Sequence, residues 1–204
     1  MTDPFRSCLE SPMGKVYDGI DDRLADFLVR QHVFFVGTSP TDPDGHLNVS
    51  PKGLDTFRLL GPRSVAYLDL TGSGIETVAH LRDNGRITLM FCAFEGRPLI
   101  VRLYGRGRVV EPGDGEWGGL IARFPEYPGV RSVIVVEVER VADSCGYAVP
   151  LYEYRGERSQ LIAYAEKKGP EGMEQYKARK NRASIDGLAG LRMDRLADQG
   201  ATGT

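Results

Sequence analysis

Cysteine is scarce in this chain: Cys8, Cys92 and Cys145 stand far apart, no Cys-x-x-Cys pair occurs, and only His32, His46 and His80 accompany them. That excludes a disulfide scaffold and leaves no spacing for a structural zinc, so the expectation is a reduced, cytosolic protein without a metal. Long apolar runs are missing too. No stretch approaches the roughly eighteen residues needed to span a bilayer. The amino terminus, Met-Thr-Asp-Pro-Phe-Arg-Ser-Cys, has no apolar core of a secretory signal. Neither sign of charge dominates: 26 Lys and Arg against 28 Asp and Glu give a formal net charge of -2. Attraction to nucleic acid or to an anionic membrane is therefore not expected.

What is present fits a mainly β protein. With 204 residues, the chain is long enough for one domain with a well-buried core. Residues 1–204 read as a single domain, with a core over about 20–140. Ile20, Leu24, Phe27 and Leu28 recur at helical spacing, and Asp21 and Asp22 stand at the start of that helix. Strand-like runs follow at 32–37, 47–50, 64–69, 86–92, 99–110 and 132–138, and Asp42-Pro-Asp-Gly45 marks a hairpin turn between the first two. Two further helices are expected, one from Glu76 to Asn84 and one carrying Trp117, Leu120, Ile121 and Phe124. Six or seven strands with so few helices suit a closed or nearly closed antiparallel barrel with helices packed outside, α+β in content. From Ser144 to about residue 195 the chain turns polar and tyrosine-rich, with a helix pattern between Ser159 and Lys168. Such a segment wraps the barrel or a partner subunit. Residues 196–204 read as frayed.

The candidate site lies in two segments. The first is Asn48-Val-Ser-Pro-Lys-Gly53, where Val49, Ser50, Pro51 and Gly53 flank Lys52 at a strand end. Lys52 is either a solvated turn lysine or a cation that meets negative charge on a cofactor. The second runs from Asp69 through Thr71, Gly72, Ser73, Gly74, Glu76 and Thr77, a glycine-rich turn opening a helix. Its glycines and hydroxyls suit an anion nest. Equally, Ser73 with Glu76 is the pattern of a capping box, and a Glu76 carboxylate competes with any phosphate there. Arg102 is open as a binding residue, whereas Arg106 and Arg108 read as a wet barrel surface. Cys92 reads as core and Cys145 as an incidental thiol rather than a nucleophile.

The order of these pieces resembles the pyridoxamine 5'-phosphate oxidase-like, FMN-binding split-barrel family. The pieces are the hairpin, Asn48–Gly53, Tyr67-Leu-Asp-Leu-Thr-Gly-Ser-Gly74, the helix, Asn84–Phe91 and Leu99–Arg108. The resemblance spans about 20–140. It implies a homodimer with two equivalent flavin sites at the subunit interface, FMN touching Val49–Gly53, Asp69 and the Thr71–Thr77 turn, and hydride transfer to or from a small organic substrate. The vitamin-processing oxidase keeps a serine-arginine-lysine-like element at the helix start. Here the residues are Gly74-Ile-Glu-Thr77, so the phosphate grip differs or the pocket takes another cofactor. The alternatives are therefore an F420-dependent reductase and a non-catalytic flavin- or haem-binding barrel. The segment after Ser144 also lacks that oxidase's arginine- and histidine-bearing end, which removes the expectation of pyridoxamine phosphate as substrate.

Overall fold

A computed structural model describes residues 14–192. Cys8, the polar amino terminus and the last residues, 193–204, lie outside that range. The elements run β1 (Val16–Tyr17), α1 (Asp22–Val29), β2 (Phe34–Thr38), β3 (Asn48–Lys52), β4 (Phe57–Gly61), β5 (Ser64–Leu70) and α2 (Glu76–Asp83). They continue with β6 (Arg86–Cys92), β7 (Ile100–Val110), α3 (Trp117–Ile121), β8 (Val130–Ser144) and α4 (Gln160–Lys180). Helix α1 forms because Leu24, Phe27 and Leu28 share one buried face and Asp21 accepts from the Leu24 N–H at 2.8 Å. That bond satisfies a donor the helix start cannot.

All strand pairs are antiparallel, in the order β3-β2-β6-β7-β8-β5-β4, with β1 lying beside β8. The eight-stranded sheet curls into a split barrel rather than a closed one, and β3 and β4 are its two ends. Strand alternation sets the two apolar layers. Val65 and Tyr67 of β5 join Leu89, Leu103, Ile134 and Val136 inside the barrel. Ala66 and Leu68 point the other way and pack with Val133, Val135, Leu120 and Phe124 under α3. Burying so many branched side chains, at roughly 1.5–3 kcal/mol each, is the main force holding the sheet curled.

Two strands escape the sequence pattern. Strand β1 has only two residues, and β4, Phe-Arg-Leu-Leu-Gly, is half-buried throughout and so does not alternate. Helix α4 also runs past Lys168: Gly169 at φ 68° and Pro170 kink it, and a second helical stretch continues to Lys180. Pro170 opens that second stretch, where its missing N–H costs nothing. Ala165, Met173 and Lys177 are the buried residues of α4, and Lys177 Nζ donates to the Val130 carbonyl at 2.9 Å.

Candidate functional site

The two candidate segments leave strands that are not neighbours in the sheet. Four strands separate β3 from β5, and the curl of the barrel brings their inward faces together across the open seam. On β3 the half-buried residues Asn48, Ser50 and Lys52 alternate with outward Val49, 70% exposed, and exposed Pro51. On β5, Asp69 follows Val65 and Tyr67 on the interior face. It is fully buried, and Lys52 Nζ reaches its Oδ1 at 2.9 Å. A side-chain ion pair thus spans the seam that no backbone ladder closes.

Asp69 has a second cation. Arg131, on β8, places Nε 2.6 Å from Asp69 Oδ2 and Nη1 2.7 Å from the Gly74 carbonyl, while the Ser132 hydroxyl donates to Asp69 Oδ2 at 3.2 Å. Burial alone would push the Asp69 carboxyl up. The charges of Arg131 and Lys52, with the hydrogen bonds both donate, outweigh that and hold it well below the usual carboxylate range. Lys52 is therefore a counter-ion rather than a solvated turn lysine.

The same network fixes the turn after β5. Thr71 commits both its N–H and its hydroxyl to the Gly129 carbonyl, at 2.8 and 2.6 Å. The Gly72 carbonyl accepts from Asn181 Nδ2 at 3.0 Å. With the carbonyl side pinned, no protein group among the described residues accepts from the N–H of Gly72, Ser73, Gly74 or Ile75. The capping box expected from Ser73 and Glu76 does not form. The residue before α2 is Ile75, and no side chain caps this helix start. Glu76 instead folds its carboxylate back over Gly74, into the space a β-carbon there would fill.

A second polar chain ties β3 to α2. The Ser50 hydroxyl donates to Asn48 Oδ1 at 3.3 Å, Asn48 Nδ2 donates to Thr77 Oγ1 at 3.0 Å, and Thr38 Oγ1 meets His80 Nδ1 at 3.0 Å. His80 is fully buried, and among the described residues its Nε2 has no hydrogen-bond partner. Burial lowers its pKa below the ordinary 6.5, so the ring is held neutral. The unfolded chain binds that proton first. Stability is then complete above about pH 6.5 and falls as pH drops through the lower folded value. Urea midpoints at pH 7.5 and 5.5 should show this loss, and His80→Gln should flatten it. Equal slopes in both proteins would remove His80 from the titration.

The structure thus gathers Ser50, Lys52, Asp69, the Thr71–Gly74 turn, Glu76 and Thr77 along one seam. Gly53 closes the end of β3. Arg102 is not gathered: it lies on the outward face of β7 and donates to Ser144 Oγ at 3.0 Å. Arg106 and Arg108 are exposed, as expected of a wet surface, and Cys92 is buried. Arg131, His80 and Asn181 belong to the seam and were not among the residues expected there, while Asn48, which opens the first expected segment, is tied into it through Thr77. Arg131 had a signal: an arginine heading an otherwise apolar β run must find a buried counter-ion.

The residues present fit the ring and polyol portions of a flavin. A β-carbon on Gly72 would meet nothing within 4 Å, the N–H groups of Gly72–Ile75 have no acceptor among the described residues, and β3 carries the amide of Asn48, the hydroxyl of Ser50 and the ammonium of Lys52 on its half-buried face. They fit its terminal phosphate less well, because both cations of the seam are spent on Asp69 and Glu76 lies over the helix start. Among the described residues no group of His, Cys, Asp and Glu is placed to hold a metal ion, and no helix is long and apolar enough to cross a membrane.

Among solved structures, the HupZ protein of Group A Streptococcus superposes with a TM-score of 0.48 at 23% identity, covering 61% of this chain and 98% of its own. The FAD binding protein of Mycobacterium smegmatis does so at 0.43 and 14%, covering 63% and 95%. Neither likeness bears on ligand or activity. Sequence carries more: the pyridoxamine 5'-phosphate oxidase family protein ustO of Aspergillus flavus is 40% identical over 192 residues, 86% of this chain and 77% of its own length. The sequence model of pyridoxamine 5'-phosphate oxidase matches residues 20–145. With that match and that relative, the chain belongs to the pyridoxamine 5'-phosphate oxidase family.

Proposed function

We propose that this chain acts as a homodimeric, flavin-dependent oxidoreductase that binds FMN along the β3–α2 seam and acts on a small organic substrate. The observation that carries the reading is the set of unaccepted N–H groups of Gly72–Ile75 in a turn tied to β3 at both ends, by Lys52 on Asp69 and by Asn48 on Thr77. Bound FMN supplies hydride transfer. The chain supplies hydrogen-bond donors of fixed position: the turn is pinned from its carbonyl side, so its N–H groups stay oriented when a ligand leaves. Lys52, balanced by Asp69, adds a positive pole at the flavin's electron-rich pyrimidine edge as negative charge grows there. The second copy covers β3, an end strand with exposed Val49 and, just before it, exposed Leu47, and completes the groove. A cytoplasmic location accords with this chemistry and with the free thiols.

A deazaflavin, F420, is the second reading, and one observation favours it. Among the described residues the two cations of the seam, Lys52 and Arg131, are both paired with Asp69, so a cofactor whose anionic tail extends farther out suits Glu76 better. A barrel that binds flavin or haem without turnover is the third.

Fluorescence titration of the purified protein with FMN and with F420, beside sedimentation, separates these readings. FMN should saturate one site per chain in a dimer, and Ser50→Val should weaken it roughly tenfold, the size of one lost hydrogen bond. A colourless monomer that binds neither would sink the flavin reading; tighter F420 binding would replace FMN.

A further inference from the structure

A cleft of about 1060 Å³ opens between α1, the turn joining β6 to β7, and the segment 147–156. Its volume stands at the upper end of small-molecule sites. None of the seam residues lines it. The two regions approach at the end of β3, where a β-carbon on Gly53 would stand 3.4 Å from the His32 carbonyl oxygen and 3.6 Å from Glu157 Oε2.

Aromatic faces make its walls. Phe94 and Tyr152 stack at 5.5 Å with planes 17° apart, and His32 and Tyr154 stack at 3.5 Å and 5°. Segment 147–156 is held over the cleft by its backbone N–H groups: that of Tyr152 donates to the Phe94 carbonyl and that of Tyr154 to the Glu95 carboxylate Oε1, both at 2.9 Å. Just beyond, Glu157 Oε2 accepts from the N–H of Leu54, a non-glycine residue at φ 60°.

The charges are unequal in a telling way. Each carboxylate of the lining is already engaged: Glu95 by Tyr154, Asp143 by the Lys15 N–H and the Tyr17 hydroxyl, and Glu153 by Arg155. Arg30 and Arg97 line the same cleft, and among the described residues neither side chain has a hydrogen-bond or ion-pair partner. Two uncommitted guanidinium groups beside stacked rings match a ligand with a flat apolar body and an anionic end. Arginine's planar fork takes a carboxylate, phosphate or sulfonate in bidentate fashion, and its face stacks on rings.

We propose that this cleft is a second ligand site, separate from the cofactor seam, and that it takes a planar aromatic anion. Arg30 and Arg97 grip the anionic group, and the Phe94–Tyr152 and His32–Tyr154 pairs flank the ring. The site stands whether or not the seam binds a flavin.

The test uses the full chain and two fluorescent probes of similar body: anionic 8-anilinonaphthalene-1-sulfonate and neutral N-phenyl-1-naphthylamine. The sulfonate should saturate one site per chain. Arg30→Ala with Arg97→Ala should weaken it roughly tenfold or more, the cost of losing charge-assisted bonds. Arg106→Ala, on exposed β7, should leave it unchanged. The neutral probe should ignore all three substitutions, and Tyr152→Ala should weaken both probes. Excess FMN should displace neither. Circular dichroism confirms that the variants fold, which their exposed positions favour. Three results each overturn the proposal: no saturable sulfonate binding, equal affinity in the Arg30/Arg97 double variant, or displacement by FMN, which would make the two sites one.

Discussion

Asp69→Asn should cost about 3–5 kcal/mol of stability at neutral pH, the range for removing one partner of a buried ion pair. The asparagine fills the same space, so the loss is electrostatic: Arg131, 6% exposed, and Lys52, 17% exposed, would face each other across the seam with no carboxylate between them. Arg131→Met should cost more than Lys52→Met, because arginine also holds the Gly74 carbonyl and lysine can turn towards water. Replacing the trio together, with Asp69→Leu, Arg131→Met and Lys52→Met, should recover much of the loss, since no unpaired charge remains buried. Acid supplies a further check. The folded Asp69 carboxyl titrates below its unfolded value of 3.8, so its contribution is present above that value and is lost as pH falls beneath it. Asp69→Asn should lack this acid limb. Urea unfolding at fixed protein concentration, at pH 7 and again near pH 3.5, measures both. A loss at pH 7 under about 0.5 kcal/mol, the ordinary scatter of surface substitutions, would show that the seam is not held by this charge network.

That network also marks how far the sequence could be read. Strands β6 and β7 are legible because their buried residues recur at period two, and β2, β5 and β8 as short continuous apolar runs, those of β5 and β8 buried on both faces. The Asp42–Gly45 turn makes the β2–β3 hairpin legible too. Strand β4 is not, since every residue in it is half-buried. Helix α4 is read only to its Gly169–Pro170 kink, where local rules say a helix should stop. At the site, the turn after β5 could be read from its glycines, and the inward set Asn48, Ser50 and Lys52 from alternation. The partner of Lys52 could not. Asp69 and Arg131 each terminate an apolar run, a local hint that each needs a counter-ion, but only the β5–β8 register places Asp69 opposite Ser132 and beside Arg131. The collapse of the Ser73–Glu76 capping box is likewise tertiary. Arg131 and Asn181 draw the turn's carbonyls inward, and Ile75, not Ser73, then becomes the residue that precedes the helix.

Gly105→Ala should be the most damaging single-methyl change in the barrel, with a loss near or above about 3 kcal/mol, the top of the overpacking range. Strands β7 and β8 pair along their length except for one register shift between Tyr104 and Gly105. A β-carbon at Gly105 would fall on the carbonyl oxygen of Glu137, 2.9 Å from its carbonyl carbon and 3.1 Å from the Val138 Cα. All three atoms are backbone in the central ladder, so no side chain can swing aside. The bulge bends both strands and raises their twist. That curl is what carries β3 round to β5, so flattening it should also pull Lys52 from Asp69. Gly107→Ala, two residues on, meets only the ends of Leu81 and Ile87 and should cost less. Gly118→Ala in α3 faces open space and should gain about 0.5–1 kcal/mol from helix propensity. Urea unfolding of the three variants ranks them directly. A Gly105→Ala protein as stable as Gly107→Ala would show that the bulge can relax without the ladder, and that the curl closing the seam arises elsewhere in the sheet.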